Sequence, residues 1–134
     1  MPREIRLHLG GEDDLIVARQ RARVAAQDLG FGAVDQSRIA TAVSELARNV
    51  LRYAEGNRGE IVIRSFAGGR QGIEIVVSDE GPGIADIDLV LRPGYTSGRG
   101  MGMGLPGTRR LMDEMEIESA PGRGTVVTIR KWHR

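Results

Sequence analysis

The sequence predicts a two-layer α+β sandwich, with helices packed on one face of a mixed, mostly antiparallel sheet, in a single domain over residues 1–134. Three observations predict it. Apolar residues alternate with polar ones in several short stretches, the period of a strand with one buried face. Two longer segments repeat apolar residues at steps of three and four, the period of a helix. Short turns join these segments without linkers or repeats, and a chain of 134 residues buries one core.

Along the chain, Ile5, Leu7 and Leu9 alternate with Arg6 and His8 as a first strand, closed by Gly10 and Gly11. Asp13 and Asp14 supply capping chemistry for a helix to about Leu29, with Leu15, Ala18, Ala22 and Ala25 as its apolar stripe and Val17 and Val24 widening it. Gly30 ends it. A second helix starts near Asp35, with Ile39, Ala42, Val43, Leu46, Val50 and Tyr53 on one face. Residues 60–66 and 73–78 read as strands joined through Gly68-Gly69, and a short helical turn is expected around 87–91. Pro106 stands near a helix start, where its missing N–H does no harm, and Leu111, Met112 and Met115 face the core. Residues 116–120 and 125–131 form the last strands around Gly122-Arg123-Gly124.

Composition removes several function classes. The chain carries 19 basic against 18 acidic residues, and few aromatics, so it lacks the footprint of a nucleic-acid binder. Arg19, Arg21 and Arg23 read as a solvated helix face, with an acidic partner as the alternative. The absence of cysteine excludes disulfides, thiolate catalysis and cysteine-held metal. His8 and His133 lie in unrelated strands and make no zinc pair. No stretch reaches the roughly 18 apolar residues of a membrane helix, and Met1-Pro2-Arg3-Glu4 leads into alternation and not a leader, so the expected location is the cytoplasm. Glycine is in excess, with 19 residues, and concentrates between Gly81 and Gly124, as where backbone comes close to a ligand.

Four short motifs carry chemistry. Glu45 and Asn49 lie one helical turn apart at the edge of the apolar arc, where an amide oxygen can ligate Mg²⁺ and a carboxylate can accept a proton. Alone, the pair reads as a solvated helix edge. Asp79-Glu80-Gly81-Pro82-Gly83 follows a strand. A carboxylate there can accept from an exocyclic amine while glycines admit a flat base, and a plain β-turn has the same composition. Gly100-Met101-Gly102-Met103-Gly104-Leu105-Pro106-Gly107 runs into a helix whose first N–H groups suit phosphate, unless it is simply a flexible loop. It contains G-x-G-x-x-G, but no strand immediately precedes it, so the dinucleotide reading fails. The sequence contains neither a P-loop nor the H-R-D and D-F-G elements of the common protein kinases. Gly122-Arg123-Gly124-Thr125 alone is a hairpin turn.

In this order and spacing, the four motifs resemble the N, G1, G2 and G3 boxes of the GHKL ATPases of the Bergerat fold, and the likeness spans the chain. Within that superfamily the sequence is similar to the serine/threonine kinases that switch bacterial stress signalling at the stressosome, and to related anti-sigma factor kinases. Leu29-Gly30-Phe31-Gly32, Ser44 to Asn49, Gly104 to Gly107, Arg110 to Glu114 and Lys131-Trp132 carry this. The resemblance implies ATP and Mg²⁺ as ligands. It implies Glu45 as the general base, Asn49 as the Mg²⁺ ligand, and Asp79 as acceptor for the adenine amino group. Gly81, Gly83 and Thr125 would line the base pocket, and Gly100, Gly102 and Gly104 would wrap the phosphates. Arg48 would meet phosphate or partner. It also implies a STAS-domain protein as substrate and a PP2C-type phosphatase as a downstream partner, with neither nucleic acid nor membrane. Sequestration of a sigma factor, or a non-catalytic module gated by ATP, are the rival readings. The charged, methionine-bearing stretch Arg99 to Met103 departs from the pattern.

Overall fold

A computed structural model describes residues 3–53, 59–81, 104–119 and 121–133. Strand β1 (Arg3–Leu9) leads to helices α1 (Glu12–Asp28) and α2 (Ala33–Tyr53), then β2 (Gly59–Phe66), β3 (Gly72–Asp79), α3 (Gly104–Leu111), β4 (Glu114–Ser119) and β5 (Thr125–Trp132). The described strands form one sheet in the order β1-β2-β3-β5-β4. Its four pairings are all antiparallel, which narrows the expected mixed sheet.

Alternation sorts the sheet's side chains onto two faces. Leu9, Ile61, Ile63, Ile73, Ile75, Val77, Val127 and Ile129 are buried toward the helices. The other face carries an alternating row of charges, Glu4–Arg64–Glu74–Arg130–Glu114, one per strand in sheet order and each opposite the next. The ion pairs along it measure 2.8, 3.5, 2.8 and 3.5 Å. Opposite charges directly across a sheet stabilise it, whereas like charges there would repel.

Helix α2 covers the sheet through Ile39, Ala42, Val43, Leu46, Ala47 and Val50, all buried. Helix α1 offers Ala18, Ala22, Ala25 and Ala26, small side chains that let it lie close beside α2. Val17 and Val24 do not widen its stripe: they stand exposed, because only the alanine-lined side of α1 meets a neighbour. Its N-cap is Gly11, and Asp14 reaches back from the first turn to accept from the Gly10 N–H at 2.8 Å. Helix α2 starts two residues before Asp35, and α3 starts at Gly104 rather than at Pro106. Strand β4 covers 114–119, two residues earlier than expected, because Met115 and Ile117 must point inward from it. The turn expected around 87–91 lies outside the described residues.

Candidate functional site

One end of the sheet is built from small and polar residues. Leu9, Gly59, Asp79, Thr125 and Ser119 form a single register row across all five strands. By alternation with Ile75 and Val77, Asp79 lies on the helix side of β3. Gly59 sets the distance between the layers here. A Cβ on it would overlap Val50 Cγ1 of α2 and lie 3.1 Å from the Ser78 carbonyl oxygen. The missing side chain therefore lets α2 descend onto this row and brings Asn49, the neighbour of Val50, to the Asp79 end of the sheet.

On α2, Glu45 is only 7% exposed, and its Oε1 accepts from Arg48 Nη1 at 2.8 Å. The pair spans one turn, so it fixes the carboxylate against the helix while Arg48 remains half-exposed. A buried carboxylate without such a partner would be costly. Arg48, expected to meet phosphate or a partner, thus has Glu45 as its neighbour. Asn49 is half-buried one turn beyond Glu45.

At the end of β3, Asp79 Oδ1 accepts from the Gly81 N–H at 2.7 Å, which folds the chain back and orients the carboxyl group. The β4–β5 hairpin packs tightly against it. Gly124 has φ +75, and a Cβ there would overlap the Asp79 carbonyl oxygen, so glycine is required on both counts. Ser119 Oγ donates to the Gly124 carbonyl at 2.8 Å and sits 2.9 Å from Thr125 Oγ1. Sequence reasoning overlooked Ser119 and Gly59. The visible signal for Ser119 was a second hydroxyl on the other side of the Gly-x-Gly turn from Thr125. For Gly59 it was a glycine opening a strand.

Helix α3 begins at Gly104 with φ +65, and Thr108, fully buried, donates its hydroxyl back to the Gly104 carbonyl at 3.0 Å. Its other end is anchored by Lys131, 7% exposed, whose Nζ donates to the Leu111 carbonyl at 2.9 Å. Asp113 and Asp35 lie 3.8 and 3.9 Å from that ammonium. A cation at a helix C-terminus is favourably placed for the helix dipole. Gly83, Gly100 and Gly102 lie outside the described residues.

The described residues offer features that suit a nucleotide. Asp79 offers a fixed acceptor beside a close-packed glycine turn. Among the described residues no group of three or more His, Asp or Glu side chains could hold a metal ion.

Residues 34–133 match the family described as histidine kinase-, DNA gyrase B- and HSP90-like ATPase. The chain is 48% identical over 124 residues to the serine/threonine-protein kinase RsbT of Bacillus subtilis (strain 168), covering 92% of each chain. It is 41% identical over 98 residues to the anti-sigma F factor of Thermoanaerobacter sp. (strain X514), covering 70% of this chain and 68% of that one. Among solved structures, that of the RsbU and RsbW domains of a Mycobacterium tuberculosis protein superposes with a TM-score of 0.67 at 18% identity; this chain is covered in full and spans 33% of that one. The mycobacterial sensor histidine kinase MprB gives a TM-score of 0.58 at 20% identity, over 100% of this chain and 99% of that one. Those two structures speak for the fold; the sequence relatives speak for the family, whose ATPase domain implies ATP binding. By its matched length and its identity to RsbT, the chain belongs to the histidine kinase-, DNA gyrase B- and HSP90-like ATPases and, within them, to the serine/threonine kinases of the RsbT kind.

Proposed function

We propose that the chain uses ATP with Mg²⁺ to phosphorylate a serine or threonine hydroxyl on a STAS-domain protein, as the kinase of a bacterial stress-signalling partner switch in the cytoplasm. The observation that supports this reading is the contact of α2 with the sheet at Gly59, where Val50, the neighbour of Asn49, stands over the register row that contains Asp79. Asp79 accepts from the adenine amino group, with Gly81, Gly83 and Thr125 around the base. Asn49 would hold Mg²⁺ through its amide oxygen, and the ion would supply charge neutralisation at the phosphates. Gly100, Gly102 and Gly104 offer backbone N–H groups to those phosphates. Glu45 takes the proton of the acceptor hydroxyl, and Arg48 holds that carboxylate in place through their 2.8 Å ion pair. Phosphoryl transfer asks mainly for positioning and charge neutralisation, so this short set of side chains suffices. The reading extends to activation of a downstream PP2C-type phosphatase by binding.

The test is transfer of labelled phosphate from ATP, with Mg²⁺, onto a STAS-domain partner. Asn49→Ala removes the label, and Glu45→Ala lowers transfer by at least about 100-fold while ATP affinity holds, the usual weight of a general base. A non-catalytic module gated by ATP would instead keep every activity in Glu45→Ala. A second reading, a kinase that sequesters a sigma factor, draws on the likeness to the anti-sigma F factor. An unlabelled partner, with ATP still bound and a sigma subunit co-purifying, would favour it.

A further inference from the structure

The face of α2 that bears Glu45 continues beyond it toward the helix N-terminus. Val34, Ser37, Thr41, Glu45 and Arg48 recur at steps of three and four, with Arg38 four residues after Val34 and three before Thr41, so they form one stripe along the helix. The upper part of that line, with Ala33 and with Leu111 of α3, lines an open groove of about 410 Å³. Val34 is 64% exposed in it, the most exposed large apolar side chain among the described residues. From Val34 to Glu45 the distance along the helix is about 16 Å at 1.5 Å per residue. An extended segment covers that span with about five residues.

The charges around the groove are one-sided. Arg38 lines it and is 51% exposed. Arg23 reaches in from α1, with Nη2 3.4 Å from the Ser37 hydroxyl. Arg109 and Arg110 are exposed in the turn that ends at Leu111, and Arg48 lies at the far end of the line. The carboxylates on this side are each already engaged, Asp35 by Arg38 at 3.0 Å, Glu45 by Arg48 at 2.8 Å and Asp113 beside Lys131 at 3.8 Å. Arg38 and Arg23 thus stand at the apolar slot itself, with Arg109 and Arg110 next to its Leu111 in sequence.

We infer that this groove seats an acidic segment of the acceptor protein, with an aliphatic side chain against Val34 and Leu111 and carboxylates toward Arg38 and Arg23, so that its hydroxyl arrives at Glu45. The inference rests on the kinase reading for its last step alone. Apolar contact anchors the segment, while the arginines speed and orient its approach. Arg38 and Val34 act here as specificity residues and touch neither nucleotide nor metal.

The test separates docking from chemistry. Calorimetry with the full chain, loaded with a non-hydrolysable ATP analogue, measures binding of the STAS-domain partner to the wild type, Val34→Asp and Arg38→Glu. Both side chains are solvent-exposed, so melting temperature and ATP affinity stay at wild-type values. The expected result is a Kd for the partner at least tenfold weaker in each variant, and a shallower salt dependence of binding in Arg38→Glu. Glu118→Arg, on the face of the sheet turned away from the helices, leaves the Kd unchanged. Partner binding at wild-type strength by both groove variants overturns the inference, as does a wild-type chain that does not bind the partner. Labelling from ATP is read on the same proteins in parallel reactions without the analogue: a partner that docks through the groove yet gains no phosphate sinks the kinase reading and leaves the groove standing.

Discussion

The two ends of the sheet are made of different materials. At one end the row Leu9–Gly59–Asp79–Thr125–Ser119 carries a single charge and two hydroxyls, and its glycine admits α2. At the other, the charged row Glu4–Arg64–Glu74–Arg130–Glu114 lies beside an aromatic seal. There Trp132 lies near Phe66, with ring centroids 6.3 Å apart, under the Arg70 guanidinium at 4.3 Å, and its indole N–H donates to Glu114. Glycine occurs at both ends for different reasons. Gly72 clears space for a side chain, the Trp132 ring, whereas Gly124 lets the β4–β5 turn approach the Asp79 backbone. The charged end is saturated with its own partners. The Asp79 end is shaped by backbone, where Gly59 admits α2 and Gly124 admits the β4–β5 turn.

The largest effect should come from a Cβ at the Asp79 end. Gly124→Ala forces a side chain into the Asp79 carbonyl at a positive φ, so the turn must move away from β3. ATP affinity should fall by roughly 100-fold, near 2.7 kcal/mol, as read by calorimetry. Wild-type affinity in this variant would erase the distinction between the two ends. The same change at the sealed end, Gly72→Ala, drives a Cβ into the Trp132 ring and within 2.9 Å of the Lys131 carbonyl oxygen. Overpacking of that kind costs about 2 kcal/mol, lowering the melting temperature by several degrees. ATP affinity, measured on the folded protein at low temperature, should not change. A loss of affinity would mean that the ends communicate through β5.

Much of this contrast was legible in the sequence. The strand and helix periods gave the layers, because each element buries one face and its pattern records which. The motifs singled out Glu45, Asn49 and Asp79 as candidates because chemistry needs particular side chains at particular spacings. What the sequence hid depends on register. Nothing local in Gly59 says that Val50 will fill its space, or that Asp79 will be its cross-strand neighbour. The charge row was hidden for the same reason: Glu4 and Arg64 stand 60 residues apart in sequence and meet only once β1 pairs with β2. Lys131 looked like an ordinary strand residue, and only the fold shows it buried against the Leu111 carbonyl. Val17 and Val24 misled because a helical stripe does not say how wide its neighbour is.

A smaller effect separates shape from chemistry at the Asp79 end. Asp79→Asn keeps an oxygen that can accept from the Gly81 N–H, so the local fold should survive. The amide nitrogen then faces the position proposed for the adenine amino group, donor against donor. ATP affinity should weaken about tenfold, near 1.4 kcal/mol, with the melting temperature within a degree or two of wild type. An unchanged affinity would remove Asp79 from the base pocket while leaving its turn intact.

The smallest effect belongs to the charged end and to pH. The Glu4 carboxyl is held below its ordinary range by the hydrogen bond from Arg64, with partial burial opposing and the Arg6 charge assisting. A group depressed in the folded state stabilises the protein at pH above its unfolded value, and the contribution is lost as the pH falls through the folded one. The wild type should therefore lose a little stability on acidification below the ordinary glutamate range that Glu4→Gln does not lose. Because the pair lies in solvent, the difference should shrink further in high salt. Acid titrations of thermal stability for the two proteins, at low and high ionic strength, read it directly. Curves that stay parallel at both would mean that the outermost step of the charge row holds nothing, and that the order of this end resides in Glu74, Arg130 and the Trp132 seal.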